Sequence, residues 1–162
     1  MYGICLLTVI PMRKEKSDLS EMVNQILFGE SFKIIKINTK WTYVELLHDS
    51  YKGWICNKQY VSINDKIKKT IICNKKHCNI SIENIKQKIF LGSLIPSQES
   101  IQKKLNISIN HNFKNSLNFN NQFVETCKKY LNSPYLWGGR TPFGIDCSGY
   151  TQIIYRIFEI NL

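Results

Sequence analysis

Cys147 is the residue whose surroundings best suit nucleophilic chemistry. It stands in the run Asp146-Cys147-Ser148-Gly149, after a glycine-rich stretch at 137–144 and before an apolar helical pattern. A thiol in the first turn of a helix faces unpaired backbone N–H groups and the positive end of the helix dipole, which favour the thiolate. The sequence therefore predicts a cysteine nucleophile, with nearby amides that can hold an oxyanion. Asp146 stands where an N-cap residue would, although its charge partly opposes thiolate formation.

The alternative for any single cysteine is a buried, inert thiol, because free cysteine packs as a small hydrophobe. That interpretation suits Cys5, Cys56 and Cys127, which lie inside apolar runs. For Cys147 the glycines and polar residues on both sides favour the nucleophile instead.

Cys73, His77 and Cys78 form a second group of chemistry-bearing residues. Zinc normally takes four ligands from two spaced pairs, and no second pair lies nearby in the sequence. Two lysines inside this short loop also disfavour a cation. We therefore predict no metal site, and no metal or organic cofactor.

Two helices in residues 121–162 are expected to position the nucleophile. The first should be capped by Asn120 or Asn121 and stop at 132–134, and the second should follow Asp146. The expected apolar positions are Phe123, Val124, Cys127, Tyr130 and Leu131 in the first helix, and Tyr150, Ile153, Ile154, Ile157 and Phe158 in the second.

Residues 1–62 have the pattern of short strands in a small barrel, with runs rich in β-branched and aromatic residues between polar turns such as 28–31. Trp41 and Trp54 are expected to fill its core. Residues 63–120 are poorly patterned. They suit a degenerate β-rich module or a linker, with helical pieces around 80–90 as an option.

The formal net charge of +10 suggests a polyanionic partner at first. However, the chain has 24 Ile, 19 Lys and 16 Asn but 3 Arg and no Ala, the pattern of AT-rich coding. Phosphate recognition usually favours arginine. We therefore predict no nucleic-acid partner; binding through the lysines of 63–120 is the alternative, and it would depend steeply on salt.

No run of residues approaches the ~18 apolar residues of a membrane span. The apolar run 4–10 is short and no basic residue precedes it, so a secretory signal is not expected. The sequence thus predicts a cytoplasmic chain with reduced cysteines, with the periplasm or cell envelope as alternatives.

Residues 135–150 resemble the catalytic-cysteine motif of the NlpC family of cysteine peptidases, which are bacterial cell-wall endopeptidases. A helix, a Pro-Tyr-x-Trp-Gly-Gly turn and an Asp-Cys-Ser-Gly element occur in the family's order. The order of the strand-like runs and turns in residues 1–62, the last of which contains Gly53-Trp54-Ile55, resembles that of a bacterial SH3-type domain. Such a domain is known to precede catalytic domains of this family.

The resemblance implies an α+β fold with three parts. Residues 1–62 would form a small SH3-like β-barrel. Residues 63–120 would form a β-rich connector or a degenerate second SH3-like module. Residues 121–162 would form the N-terminal helices of a papain-like catalytic domain, which is incomplete here.

The implied activity is hydrolysis of γ-D-glutamyl–diamino acid amide bonds in peptidoglycan stem peptides. Cys147 matches the nucleophile, and Asp146 and Ser148 flank it as in members that bind the free amine of an N-terminal L-Ala. Tyr135 matches a tyrosine near the reacting carbonyl, with core packing as its alternative. Arg140 is expected to be a solvated turn residue.

A cysteine peptidase also needs a base, and in this family a histidine follows the cysteine by several dozen residues. His48, His77 and His111 all precede Cys147. We therefore expect an inactive chain, either truncated or completed by a second chain, whose last helix has little to pack against. The alternative is a non-catalytic remnant that acts as a wall-peptide-binding SH3-type module.

Overall fold

The computed structural model of the chain describes residues 1–109, 117–160 and 162, so His111 lies outside the described residues. The strands are β1 (Tyr2–Ile4), β2 (Val9–Arg13), β3 (Met22–Leu27), β4 (Ser31–Ile37), β5 (Trp41–Leu46), β6 (Lys52–Cys56), β7 (Val61–Ile63), β8 (Thr70–Ile72), β9 (His77–Ile82), β10 (Ile85–Phe90), β11 (Leu94–Pro96), β12 (Ile107–Ile109), β13 (Arg140–Thr141) and β14 (Gly144–Ile145). The helices are α1 (Glu99–Lys104), α2 (Phe119–Lys128) and α3 (Cys147–Ile157), with a 3-10 turn at Asn57–Gln59. None of the helices in the described part is long and apolar enough to cross a membrane.

Residues 1–63, the sheet segment, form one antiparallel seven-stranded sheet in the order β3-β2-β6-β5-β4-β1-β7. In this order β3 and β7 are edge strands that do not pair with each other. The predicted closed barrel is therefore corrected to a sheet whose strand pairing stays open. The expected β character of the segment is confirmed.

The two tryptophans do not fill the core of the sheet segment. Alternate residues of β5 are buried, including Thr42 and Val44, whereas Trp41 and its neighbour Tyr43 are only half-buried. Tyr43 pairs with Trp54, and their ring centroids lie 5.0 Å apart on the outer face. Because side chains alternate along a strand, register places these rings opposite the core, and the prediction was wrong.

Residues 64–109, the middle segment, are strands plus one short helix rather than a linker. β9 pairs with β10 and β12, and β8 pairs with β11. The helical option around 80–90 is wrong because Glu83 and Asn84 both adopt positive φ, of 50° and 66°, in the tight turn of the β9–β10 hairpin. Cys78 and Ile89 of this hairpin share a core with Phe28 of the sheet segment.

The stretch 28–31, predicted to be a polar turn, is a buried junction. Phe28 and Glu30 are both fully buried. The backbone N–H of Leu94 donates to the carbonyl of Phe28 over 2.8 Å. Gly29 has φ +77°, and a Cβ there would collide with the carbonyl of Leu94. The middle segment therefore docks directly on this turn, where only glycine fits.

Residues 117–160, the cysteine segment, carry the two expected helices with altered limits. Asn118 caps α2, since its side chain accepts from the backbone N–H of Asn121, so the predicted cap at 120 or 121 is wrong. The helix ends at Lys128, four residues before the predicted stop begins. Val124 and Leu131 are exposed, so they do not belong to the predicted apolar face.

The apolar stripe of α3 is buried, contrary to the expectation that it has little to pack against. Ile153, Ile154 and Ile157 pack with Leu27 of the sheet segment and Leu91 of the middle segment. All three segments thus contribute to the core under the helix that begins at Cys147. This core supplies the apolar contact that the sequence interpretation did not foresee.

Candidate active site

Cys147 is the first residue of α3 and is exposed. Asp146 caps the helix as predicted: its Oδ1 accepts from the N–H of Gly149 at 2.7 Å and from Oγ of Ser148 at 2.8 Å. Its Oδ2 accepts from the N–H of Gly138 at 2.8 Å. One carboxylate therefore ties the helix that presents the thiol to the preceding glycine turn.

The glycine turn lies against the edge strand of the sheet segment. Gly138 has φ +71°, and a Cβ there would lie 2.7 Å from the carbonyl oxygen of Met22 in β3. A Cβ on Gly149 would collide with the carbonyl oxygen of Gly139. Glycine at these positions lets the turn approach both β3 and α3.

A cavity of about 230 Å³ opens beside the thiol. It lies between the sheet segment and the cysteine segment, so neither segment forms it alone. Its lining residues are Val23, Asn24, Tyr51, Trp137, Gly138, Arg140, Asp146, Cys147, Ser148, Gly149 and Gln152. Sequence reasoning identified Cys147, Asp146 and Ser148 but missed Asn24 and Tyr51, which no local motif marks.

Acidic side chains lie around this cavity despite the basic net charge of the chain, although Nζ of Lys14 lies 3.4 Å from Oε2 of Glu21 and Arg140 is among the lining residues. Nε1 of Trp137 donates to Oε1 of Glu21 at 2.8 Å, which holds that carboxylate near the opening. Burial raises the pKa of Tyr51, and the negative charges of Glu21, Asp49 and Asp146 add to the effect. A site with this electrostatic character suits a cationic group such as an ammonium.

Tyr135 lies outside the cavity lining. It forms a bridge with Ile145, and 68% of the residue is exposed, so the core-packing alternative is wrong. The structure brings Cys147, Asp146 and Ser148 together and leaves Tyr135 apart. Its assignment near a reacting carbonyl stays a prediction.

Arg140 is a buried ion-pair residue and not the solvated turn residue that was expected. It is 1% exposed, and its Nη1 donates to Oε2 of Glu30 at 2.9 Å and to the carbonyl of Gln25 at 2.7 Å. Its backbone N–H donates to Oε1 of Gln25 at 2.7 Å. The guanidinium thus fastens the turn before Cys147 to the sheet segment.

Glu30 accepts two further hydrogen bonds. Nη1 of Arg156 donates to its Oε1, and the backbone N–H of Leu27 donates to its Oε2 at 2.7 Å. Burial alone would raise the pKa of Glu30, but Arg140, Arg156 and nearby His48 hold it well below the usual range. One feature of the sequence could have indicated this ion pair: two of the chain's three arginines lie in the cysteine segment. Arginine is preferred for buried ion pairs.

Neither described histidine lines the cavity of Cys147. His48 contacts Asp49, with Nε2 and Oδ2 3.2 Å apart, and its Nδ1 lies 3.8 Å from Glu30. His77 is exposed at the start of β9. His48 therefore lies in the turn after β5, as predicted, with its partly buried side chain beside Asp49 and Glu30.

Cys73 and Cys78 lie together in the core of the middle segment, with their Sγ atoms 3.5 Å apart. Their hydrogen bond lowers the pKa of Cys73 and, with burial, raises the pKa of Cys78. His77 is exposed while Cys78 is buried, because consecutive side chains alternate across β9. Within the described residues, no group of three or more metal-ligating side chains occurs.

Comparison with known proteins finds a family match near each end of the chain. Residues 12–59 match the model of the bacterial dipeptidyl-peptidase SH3 domain, and residues 132–162 match the NlpC/P60 family. Dipeptidyl-peptidase 6 of Lysinibacillus sphaericus is 26% identical, over 97% of this chain and 69% of that protein. A γ-D-glutamyl-L-lysine dipeptidyl-peptidase of Bacillus cereus is 22% identical, over 90% of this chain and 53% of that protein. The chain thus spans about half the length of this second relative.

The crystal structure of an NlpC/P60 family protein from Bacillus cereus has a similar fold. It aligns with a TM-score of 0.78 and 15% identity, over 100% of this chain and 74% of that protein. The family resemblance predicted from the cysteine motif and from the order of the first strands is therefore confirmed. Residues 12–59 therefore resemble an SH3 domain of the bacterial dipeptidyl-peptidase type, and residues 132–162 resemble the NlpC/P60 family.

Proposed function

We propose that Cys147 is the nucleophile of a peptidase site for γ-D-glutamyl–diamino acid amide bonds in peptidoglycan stem peptides. The observation that carries this proposal is the exposed thiol at the start of α3, in a cavity shared with the sheet segment. Relatives from Bacillus cereus and Bacillus subtilis bear the name γ-D-glutamyl-L-lysine dipeptidyl-peptidase, which supports this substrate class.

The first chemical step is attack of the Cys147 thiolate on the amide carbonyl, which generates a tetrahedral oxyanion. Asp146 already accepts from the N–H groups of Gly149 and Tyr150. We therefore assign the oxyanion to the N–H groups of Cys147 and Ser148 at the helix N-terminus. Loss of the protonated amine leaves a thioester, which water hydrolyses; this chemistry needs no metal or organic cofactor.

The acidic side chains around the cavity suggest how the other end of the substrate is held. The ammonium of an N-terminal L-Ala would approach the hydrogen-bonded pair of Asp146 and Ser148 from the cavity side, with Glu21 adding negative potential and Tyr51 a hydroxyl. A free amine would then anchor the peptide at a fixed distance from the thiol. Such a site favours short, unblocked stem peptides over internal positions of a chain.

Protonation of the leaving amine requires a general acid, such as an imidazole that has first taken the proton of the thiol, and neither His48 nor His77 lines the cavity. We propose that these 162 residues bind stem peptides without cleaving them. A second chain, or a further segment, that brings an imidazole to Cys147 would complete the site.

The test is incubation of the 162-residue protein with L-Ala-γ-D-Glu-L-Lys, with calorimetry for binding and mass spectrometry for products. We expect binding without cleavage, and binding weaker by roughly tenfold when the amine is acetylated, a loss of about 1.4 kcal/mol. Cleavage that disappears in Cys147→Ala would contradict the proposed inactivity. Equal binding of the free and acetylated peptides would contradict the proposed amine site.

A second candidate function is a wall-peptide-binding module without a catalytic role, which is favoured because neither histidine in the described part of the chain lines the cavity. A stem-peptide analogue with an electrophilic ketone in place of the scissile amide separates the two. Labelling of Cys147 by this analogue, blocked by excess tripeptide, supports the peptidase geometry. Binding of the tripeptide without labelling supports the module.

A further inference from the structure

One carboxylate of the sheet segment meets two arginines of the cysteine segment. Glu30 is fully buried, and it accepts from Arg140 in the turn before α3 and from Arg156 in the last turn of α3. We propose that Glu30 is a positioning residue, which acts through these arginines to hold Cys147 in place against the cavity. This inference rests on the proposed role of Cys147 as nucleophile.

The contact through Arg140 reaches the residue next to the thiol. Arg140 is joined to Glu30 and Gln25, and it follows directly on Gly138 and Gly139. The N–H of Gly138 donates to Asp146 at 2.8 Å, and the N–H of Asp146 donates to the carbonyl of Gly139 at 3.2 Å. Displacement of Arg140 would therefore be transmitted through two peptide units to the cap of α3.

The contact through Arg156 fixes the opposite end of the same helix. Arg156 follows Cys147 by nine residues, or about 13 Å along the helix axis. Besides Glu30, its Nη1 contacts the carbonyl of Gly92 at 3.4 Å, which belongs to the middle segment. Arg140 thus holds the first turn of α3 and Arg156 holds its last turn, and contacts at both ends restrict sliding and rotation of the helix.

The use of charged side chains at this contact indicates that it orients α3 rather than that it stabilises the fold. A buried ion pair is often no more stabilising than apolar side chains of similar volume, because both charges lose their hydration. The apolar contacts of Ile153 and Ile157 already hold α3 on the core, but such contacts are not directional. The planar guanidinium groups on Glu30 add a fixed orientation, which a nucleophile requires.

The readout is the alkylation rate of Cys147 at neutral pH, with each thiol followed separately by mass spectrometry. When α3 is no longer held through Glu30, its N-terminal amides no longer face the sulfur in a fixed orientation, and the sulfur becomes a poorer nucleophile. We expect alkylation to slow by roughly tenfold, since a displacement of about 1 Å can cost up to about a hundredfold at a reacting group. Half-buried Cys56 in β6 serves as the internal reference.

The deciding variant is Arg156→Met, which keeps an unbranched apolar stem at a side chain that is 12% exposed and removes its bond to Glu30. Arg156→Lys keeps the charge and should restore most of the alkylation rate. Glu30→Gln should reproduce the effect of Arg156→Met if it folds. Glu45→Gln is the matched control, because Glu45 pairs with Lys52 on the exposed face of the same sheet.

A folded Arg156→Met protein in which Cys147 is alkylated at the rate of the unchanged chain would overturn the proposal, whether or not Glu30→Gln folds. A slowed Cys147, rescued by Arg156→Lys and absent in Glu45→Gln, would support it. Alkylation involves no peptide substrate, so this result is independent of whether stem peptides bind. Failure of the proposed function and failure of the positioning role are therefore separate outcomes.

Discussion

Arg140 and Glu30 form a 2.9 Å ion pair in which the side chains are 1% and 0% exposed. The two residues are 110 positions apart in the sequence and belong to different segments. Arg156 donates to the other oxygen of the same carboxylate. The contact between the sheet segment and the cysteine segment therefore includes one buried negative charge that pairs with two arginines.

Replacing Glu30 with glutamine is expected to destabilise the fold by about 3–5 kcal/mol, because it leaves two buried arginines without their counter-charge. Urea unfolding followed by circular dichroism measures this change. Glu45→Gln, which breaks the exposed pair with Lys52, should change stability by no more than about 1 kcal/mol. Equal effects of the two substitutions would contradict a special role for the buried carboxylate.

Acid should remove the stabilisation that Glu30 provides. Its pKa is depressed in the folded chain, so the unfolded chain takes up the proton first as the pH falls. The contribution is complete above the ordinary glutamate pKa of about 4.3 and declines progressively below it. The stability gap between the unchanged chain and Glu30→Gln should therefore shrink as urea titrations move from about pH 6 to about pH 3. A gap that stays constant over this range would contradict the assignment.

Features set by local spacing could be predicted from the sequence. Asp146 caps α3 through the N–H of Gly149 three residues later, and Ile153 and Ile157 lie one turn apart on the same face. Both relationships follow from helix geometry alone. The cysteine motif was therefore placed correctly at the start of a helix.

Features set by register or docking could not be predicted. The outward direction of Trp54 depends on its pairing with Tyr43, and a shift of one residue would reverse it. The buried state of Arg140 and the position of Tyr51 depend on how separate segments meet. No periodicity within either segment contains that information, so a charged turn residue was taken for a solvated one.

Gly138→Ala is expected to destabilise the protein by more than about 1 kcal/mol, since alanine is strained at φ +71° and its Cβ would press on the carbonyl of Met22. Asn132→Gly, in the preceding loop, removes the backbone strain of a non-glycine residue at φ 66° and should leave stability unchanged or slightly increased. Thermal unfolding of the two variants measures the contrast. If both changes have the same sign, close approach to β3 is not what the glycine provides.

The accessibility of the thiols predicts the order in which an alkylating reagent modifies them. Cys147 is exposed at a helix N-terminus, whereas Cys5, Cys73 and Cys78 are buried. We expect iodoacetamide to modify Cys147 first in the folded protein, and the buried thiols only after denaturation, because the thiolate must reach the reagent. Peptide mass spectrometry after a short pulse identifies the modified residue, and a Cys147→Ala protein should lose the fast phase. If Cys73 is modified before Cys147, the core of the middle segment opens readily. In that case Cys147, in the cavity beside α3, is not the most reactive thiol of the protein.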